Sequence, residues 1–451
     1  MKVKVLFLNV KGINFNGEPV GLPEEAVRLL ELNKAHNKWR GKETINLIAS
    51  ENVTSPLVES LYLSDAMHRY AEGLPFKRFY QGTKYIDEIE VMCGKLMGEL
   101  FRAQYVDLRP ISGTLANGAV FYSLGSRGDR TCICPLPGGG HVSHSEYGIM
   151  GALGLKPTPL PFDWEEFNID VDKASKVIKE VKPKFIVLGA SVIIFPHPVR
   201  ELKEAAEEVG SRLVFDAAHV LGLIAGNRYP NPLLDGADVV TSSTHKTFPG
   251  PQGGVVLTND EEIYKRVRRV VFPVFVSNHH LHRLAATAMT AIEMKYFGEA
   301  YASQIVKNSK RLAESLYEKG FKVLGEGKGF TETHQVLLDV KELGGGAKVA
   351  AKLEEANIIV NKNILPWDPP EAIKNPSGIR IGVQEVTRIG MKEGEMERIA
   401  DYFYRLLIKG ESPASLKEEV KRFRASFKGV HYTFELPAGV RDDGRAPAGQ
   451  I

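Results

Sequence analysis

The middle of the chain alternates two kinds of hydrophobic pattern. KFIVLGAS (184–191), RLVFDAAH (212–219) and ADVVTSSTH (237–245) stay apolar over consecutive positions before turning polar. Between the first two, PVRELKEAAEEVG (198–210) places Val199, Leu202, Ala205, Ala206 and Val209 at helical spacing, and Gly210 suits the stop. Continuous apolar strands joined by amphipathic helices predict an α/β fold with a mostly parallel sheet covered on both faces. Upstream, PEEAVRLLELNKAHNKWR (23–40) predicts a helix on an N-terminal arm. Downstream, EAYASQIVKNSKRLAESLYEKG (299–320) predicts a long helix leading into a smaller α/β unit. Its strands are expected in GFKVLGEG, THQVLLDVKEL and GIRIGVQEV, and a helix in AKVAAKLEEA. The division is then an arm at 1–49, a large domain at 50–297 and a small C-terminal domain at 298–451 with an extended tail. The tail from Gly410 mixes charge with proline and glycine, and its terminal DDGRAPAGQI is expected to fray.

At 451 residues the chain exceeds the size of one hydrophobic core, which supports more than one domain. Net charge is +3, from 58 basic and 55 acidic residues, too near balance for a nucleic-acid surface. The apolar run in MKVKVLFLNV is too short for a signal sequence, and no segment approaches a membrane span. A cytoplasmic protein is expected. Three cysteines cannot make a disulfide framework, and Cys132 and Cys134 read as small buried residues.

In parallel sheets ligands bind beyond the carboxyl ends of the strands. Ser191, Asp216, His219, Ser243 and Lys246 all stand at or just past such ends. A free lysine has a pKa near 10.4, so only roughly one in 2,500 is neutral at pH 7. A desolvated lysine among hydroxyls and cations is far more nucleophilic, typically as a Schiff-base former. Asp216 reads either as a turn or N-cap residue or as the counter-ion of a bound cation, such as a protonated pyridine nitrogen. Ser112, Gly113 and Thr114 stand where a helix begins, a position that favours an anion such as a phosphate. Arg380 suits a bidentate clamp on a carboxylate, or a place at the surface. His141 suits stacking on a flat ring. His141 with His144, or His279, His280 and His282, are alternative metal ligands, but no matching carboxylate or cysteine pattern accompanies them. No metal is expected.

Eight ordered motifs between about residues 45 and 395 resemble serine hydroxymethyltransferases: LIASENVTS, RYAEGLPFKRFYQG, ISGTLANGA, GGHVSHS, FDAAHVLGL, TSSTHKTFPGPQGG, VNKN and SGIRIG. The resemblance implies a pyridoxal-phosphate (PLP) enzyme of fold type I, aspartate-aminotransferase-like, working as a homodimer with shared active sites. It implies interconversion of serine and glycine with transfer of a one-carbon unit to a tetrahydropterin, either tetrahydrofolate or a modified archaeal pterin. Lys246 would then be the Schiff-base lysine and Asp216 the partner of the pyridinium. His141 would stack on the ring, Ser191 and His219 would bond near its phenolic oxygen, and Ser112, Gly113 and Thr114 would hold the phosphate. Ser50 and Arg380 would take the substrate carboxylate. Leu136, Gly140, Val142 and Asn363 would lie on the substrate or pterin side. Tyr70, Glu72 and Tyr80 would reach in from the other subunit, with Glu72 the acid/base. Ser243 stands where the family usually has threonine and keeps the hydroxyl.

Two departures stand out. Where the family commonly runs FPGGQGGP, this chain reads FPVFVSNHHLH (272–282), and Phe79 replaces a tyrosine often found beside the pterin. These point to a modified carrier such as tetrahydromethanopterin, as in archaeal relatives. The alternatives are a PLP-dependent threonine or 3-hydroxy amino acid aldolase and, in another class, a catalytically idle scaffold, against which intact Lys246, Asp216 and Arg380 speak.

Overall fold

The computed structural model describes residues 11–14, 16 and 18–437, so MKVKVLFLNV and the terminal DDGRAPAGQI lie outside the described residues. Seven strands, β1 (Tyr105–Asp107), β2 (Arg130–Ile133), β3 (Lys156–Pro159), β4 (Phe185–Leu188), β5 (Arg212–Asp216), β6 (Val239–Ser243) and β7 (Gly254–Thr258), form one sheet. Their order is β1-β7-β6-β5-β4-β2-β3. Only β7 runs against its neighbours; the other pairings are parallel. Apart from Arg212, every residue of β4, β5 and β6 is buried. That two-sided burial is why β4, the middle of β5 and the start of β6 read as consecutive apolar residues rather than as an alternation.

The helices that matter below are α1 (Glu24–Lys38), α2 (Lys84–Phe101), α3 (Gly113–Leu124), α4 (Val199–Glu208), α5 (His282–Glu318), α6 (Gly346–Glu355), α7 (Glu393–Leu407) and α8 (Pro413–Ala425). Helix α4 begins and ends within two residues of its predicted bounds, and Gly210 follows it at φ +69°. Helix α5 starts seventeen residues earlier than its pattern indicates. Its first half buries Ala286, Thr287, Ala288, Thr290, Ala291, Glu293 and Met294, so there is no polar face to generate a helical period. The helix runs through position 297 and links the two sheets.

The smaller sheet contains β8 (Lys322–Val323), β9 (Gln335–Asp339), β10 (Asn361–Asn363) and β11 (Gly378–Gly382), in the order β8-β9-β11-β10. All its pairings are antiparallel. Ile45–Asn46 pairs in parallel with Ile358–Ile359, which ties the chain just before Ser50 to this smaller unit. One hydrophobic cluster runs from Leu188 and Phe215 through Tyr301 and Leu312 to Ile379 and Ile381. A second, on the other face of the large sheet, gathers Phe121, Phe185, Val214 and Val256.

The tail from Gly410 is more ordered than its composition suggests. Pro413 opens α8 at a position where its missing N–H costs nothing, and Leu416 and Val420 are buried one turn apart. Beyond it, the Tyr432 carbonyl accepts a 2.7 Å bond from Arg388 Nη1, and Thr433 Oγ1 donates to Glu293 at 2.6 Å.

Candidate active site

The strands β4, β5 and β6 leave the sheet side by side, and the loops after them meet the first turn of α3. Together they enclose a cavity of about 180 Å³. Its lining includes Ser112, Gly113, Thr114, His141, Ser191, Asp216, His219, Ser243 and Lys246, so nine of the sequence-derived residues converge. Two glycines permit this closeness. A Cβ on Gly113 would stand 3.3 Å from the Ser243 nitrogen, and one on Gly189 (φ +87°) would collide with the Asp216 carbonyl oxygen.

Lys246 Nζ donates to Ser243 Oγ at 3.0 Å. Burial pushes its pKa down to about 8, with Asp216 opposing and Arg380 assisting. At pH 7 about one amine in ten is then neutral, hundreds of times the fraction for a free lysine. Asp216, at the end of β5, accepts from Asn117 Nδ2 at 2.8 Å and lies 3.0 Å from His144 Nε2. Its other oxygen accepts from the Ala218 N–H at 3.0 Å, so it is a turn residue and a buried acceptor at once. Burial favours the neutral acid, but His144, His141 and Asn117 outweigh it and hold this carboxyl well below the usual carboxylate range. A fixed anion thus faces a half-buried amine.

His141 lines the cavity, and burial lowers its pKa to about 4, so it is a neutral ring at pH 7. Its Nδ1 accepts from the Ser143 N–H at 3.2 Å. Ser112 caps α3 by accepting from the Leu115 N–H at 3.2 Å. The early amides of a helix lack intrahelical acceptors, so Gly113 and Thr114 bring donors to this end of the cavity. His219 Nδ1 lies 2.9 Å from Gln335 Nε2, and its ring stacks on His334 at 5.5 Å. Arg380 is buried; its Nη1 donates to the Ser191 carbonyl at 2.6 Å and its Nε to Asn361 at 3.2 Å. It is not a surface arginine. Ser50 is half-buried and outside the cavity lining, although the Gly382 N–H bonds the Leu47 carbonyl at 2.8 Å and ties its loop to Arg380's strand.

Other residues lie elsewhere. Leu136 lines a separate groove of about 500 Å³ with Tyr147 and Trp164. Val142 is exposed, Gly140 donates to the Pro135 carbonyl at 2.9 Å, and Asn363 pairs in register with Gly378. Tyr70, Glu72 and Tyr80 form their own cluster, with Tyr80 Oη donating to Glu72 at 3.3 Å and the two tyrosine rings 5.4 Å apart. None of the three lines the Lys246 cavity.

Asn117 and His144 as partners of Asp216, and Gln335 and His334 beside His219, carry no signal in the local sequence pattern. Asn117 is oriented by Thr241 Oγ1, which donates to its amide oxygen, while its Nδ2 also reaches Ser143 Oγ at 3.0 Å. Among the described residues, His141, His144 and Asp216 are the one set whose ligand atoms lie close enough to share an ion, all within 4.8 Å. His144 and Asp216 already bond each other.

The donor set matches what a pyridine-phosphate aldehyde requires. It combines a nucleophilic amine, an ionised carboxylate on the facing wall, a neutral flat ring and a helix N-terminus. His245, also in the lining, leaves a buried Nδ1 without a partner.

The family model described as serine hydroxymethyltransferase matches residues 24–403. The chain belongs to the serine hydroxymethyltransferase family. It is 60% identical over 412 residues to the serine hydroxymethyltransferase of Staphylothermus marinus, covering 91% of this chain and 94% of the relative. The enzyme of the same name from Aeropyrum pernix is 59% identical, covering 91% and 93%, and that from Sulfolobus acidocaldarius is 58% identical, covering 92% and 95%. Among solved structures, L-threonine transaldolase from Pseudomonas fluorescens in its internal aldimine state superposes with a TM-score of 0.86 at 28% identity, covering 93% of this chain and 96% of that one. The chain is therefore a PLP-dependent one-carbon transferase of fold type I. Among the described residues no helix is long and apolar enough to cross a membrane.

Proposed function

We propose that this serine hydroxymethyltransferase interconverts serine and glycine, passing the one-carbon unit to a modified tetrahydropterin of the tetrahydromethanopterin kind. The observation that carries the reading is the Lys246 amine, with a pKa lowered to about 8, in one small cavity with an Asp216 carboxylate held ionised by Asn117 and His144. PLP, when bound, supplies the electron sink that makes cleavage of the serine Cα–Cβ bond feasible. Lys246 would hold the cofactor through its amine, which donates to Ser243 Oγ at 3.0 Å. Asp216 would pair with the ring nitrogen and favour its protonated form, and His141 would stack on the ring. Ser112, Gly113 and Thr114 would hold the phosphate, and Ser191 and His219 would bond near the phenolic oxygen. Arg380 and Ser50 bind the substrate carboxylate, and Leu136, Gly140, Val142 and Asn363 belong to the substrate and carrier side.

Glu72 moves a proton at the hydroxymethyl oxygen or at the carrier nitrogen, with Tyr70 and Tyr80 beside it. Because these three stand apart from the chain's own cavity, they serve the cavity of a second copy, and the working enzyme is a homodimer with shared sites. The exposure of Tyr70, Phe76, Phe79 and Tyr80 supports such a contact. The arm at 1–49, the large domain at 50–297 and the small domain at 298–451 belong to the same reading, as does a cytoplasmic location. Phe79 supports the modified carrier, since its ring has no hydroxyl to offer a pterin. The likeness to a transaldolase supports cleavage of other 3-hydroxy amino acids as a second activity.

Serine cleavage assayed with tetrahydrofolate and with tetrahydromethanopterin tests both halves. Strong dependence on added pterin, faster with tetrahydromethanopterin, is expected. Pterin-independent serine cleavage would favour the aldolase, and faster turnover with tetrahydrofolate would remove the modified carrier.

A further inference from the structure

The segment Val274–His279, part of the stretch that departs from the common family motif, lies directly against the hairpin that carries Glu72. Ser277 Oγ donates to Glu72 Oε1, and Tyr80 Oη donates to Oε2, so each carboxylate oxygen has one hydroxyl donor. Asn278 grips the backbone on the N-terminal side of Glu72. Its Oδ1 accepts from the Ala71 N–H at 3.1 Å, and its Nδ2 donates to the Arg69 carbonyl at 3.0 Å. From the opposite side Arg78 Nη1 donates to the carbonyls of Ala71 and Gly73, each at 2.8 Å. The Phe79 N–H bonds the Glu72 carbonyl itself at 3.1 Å.

The grip is anchored in buried charge. Arg78, 1% exposed at its side chain, pairs with Asp87 at 2.7 Å and with Glu90 at 2.5 Å on α2. His279, equally buried, meets the same Glu90 at 3.1 Å. One carboxylate on α2 therefore fastens both jaws, the hairpin through Arg78 and the 274–279 segment through His279. A buried ionic cluster of this kind fixes geometry more than it adds stability. Glycines at 277 and 278 would supply none of these side-chain bonds.

We propose that Ser277 and Asn278 are positioning residues for Glu72, Ser277 orienting its carboxylate and Asn278 placing its backbone. The inference rests on Glu72 being the acid/base of the reaction. Hydrogen bonds from neutral donors hold a carboxylate at one rotation and leave each oxygen a second lone pair for proton transfer, and misplacement of an acid/base by an ångström is costly to turnover. Ser277 is exposed, so its replacement is expected to leave the fold standing.

Ser277→Ala is expected to lower kcat roughly five- to tenfold, while KM for serine stays within about twofold and cofactor fixation to Lys246 is unchanged. Ser277→Thr, which keeps the hydroxyl, restores most of kcat. In a Glu72→Gln background Ser277→Ala costs less than about twofold further, because the group it positions is gone. Parent-like kcat in Ser277→Ala beside an inactive Glu72→Gln overturns the positioning role alone, as does an undiminished loss in the double variant. Parent-like kcat in Glu72→Gln overturns the acid/base reading as well.

Discussion

Asp216 and Glu72 are two carboxylates held by different means. Asp216 ends a core strand, is 7% exposed, and receives its partners from α3 and the loop after β2, 99 and 72 residues away along the chain. Glu72 sits on a surface hairpin between Tyr70, 51% exposed, and Tyr80, 42% exposed, and most of its bonds come from within ten residues. The first is fixed by the packing of the whole sheet and is kept ionised in one chain. The second is fixed by a local cage whose only long-range member is the 277–279 segment. On the roles proposed for them, cofactor chemistry and proton movement would be built on separable parts of the molecule, and substitutions would address one without the other.

Lys246→Ala gives the largest effect. It removes both functions, with turnover falling by at least about 10³-fold and borohydride fixation of the cofactor lost, in a protein that still melts cooperatively. Glu72→Gln breaks the comparison in the other direction. Turnover falls by roughly 10²–10³-fold, while the absorbance of bound cofactor and its fixation to Lys246 stay as in the parent. Loss of cofactor in Glu72→Gln would mean that the two regions are not separable.

The pH dependence sharpens the Asp216 side. With the Lys246 pKa lowered to about 8 by burial, the rate of cofactor uptake by the apo-protein rises with pH as the ammonium gives up its proton, with a midpoint near 8 rather than 10.5. Asp216 opposes that lowering, so Asp216→Asn moves the midpoint to still lower pH. Stopped-flow absorbance across pH 6–10 reads both.

A third carboxylate gives the smallest effect. Glu385 is buried like Asp216, yet burial raises its pKa to about 7, because its one hydrogen-bond donor is the neutral Asn46 amide at 2.7 Å, with Arg40 and Arg424 acting at longer range. Its folded pKa is above the unfolded value of 4.5, so its stabilising contribution is complete below that value and is lost as pH rises through about 7. Glu385→Gln keeps an acceptor for Asn46 and removes the loss. Its Tm should exceed the parent's by roughly 2–5 °C at pH 8 and not at pH 4.5.

The same contrast separates what the sequence reveals from what it hides. Strands β4, β5 and β6 are readable because burial on both faces makes each carry a run of consecutive apolar residues, and Lys246 and Asp216 are readable because each stands where or just after such a run turns polar. Asn117 and His144 escape because their role arises from contact with residue 216, which no local period records. The first half of α5 escapes because burial all round erases the polar stripe. Helix α8 escapes because Leu416, Val420 and Phe423 are its whole apolar face within a charged segment. Glu72 was reached through resemblance alone, since an exposed glutamate between tyrosines carries no signal of its own. Its clamp at 277–279 was visible only as a departure.

The central claim is that the Lys246 amine holds the cofactor and that the cavity around it is the reaction site. Borohydride reduction of the PLP-loaded protein, followed by peptide mapping, tests it most directly. The expected result is a stable pyridoxyl label on the peptide containing Lys246, with activity lost in proportion to labelling. Labelling at another lysine, or an unlabelled Lys246 in a protein that still cleaves serine, would contradict it.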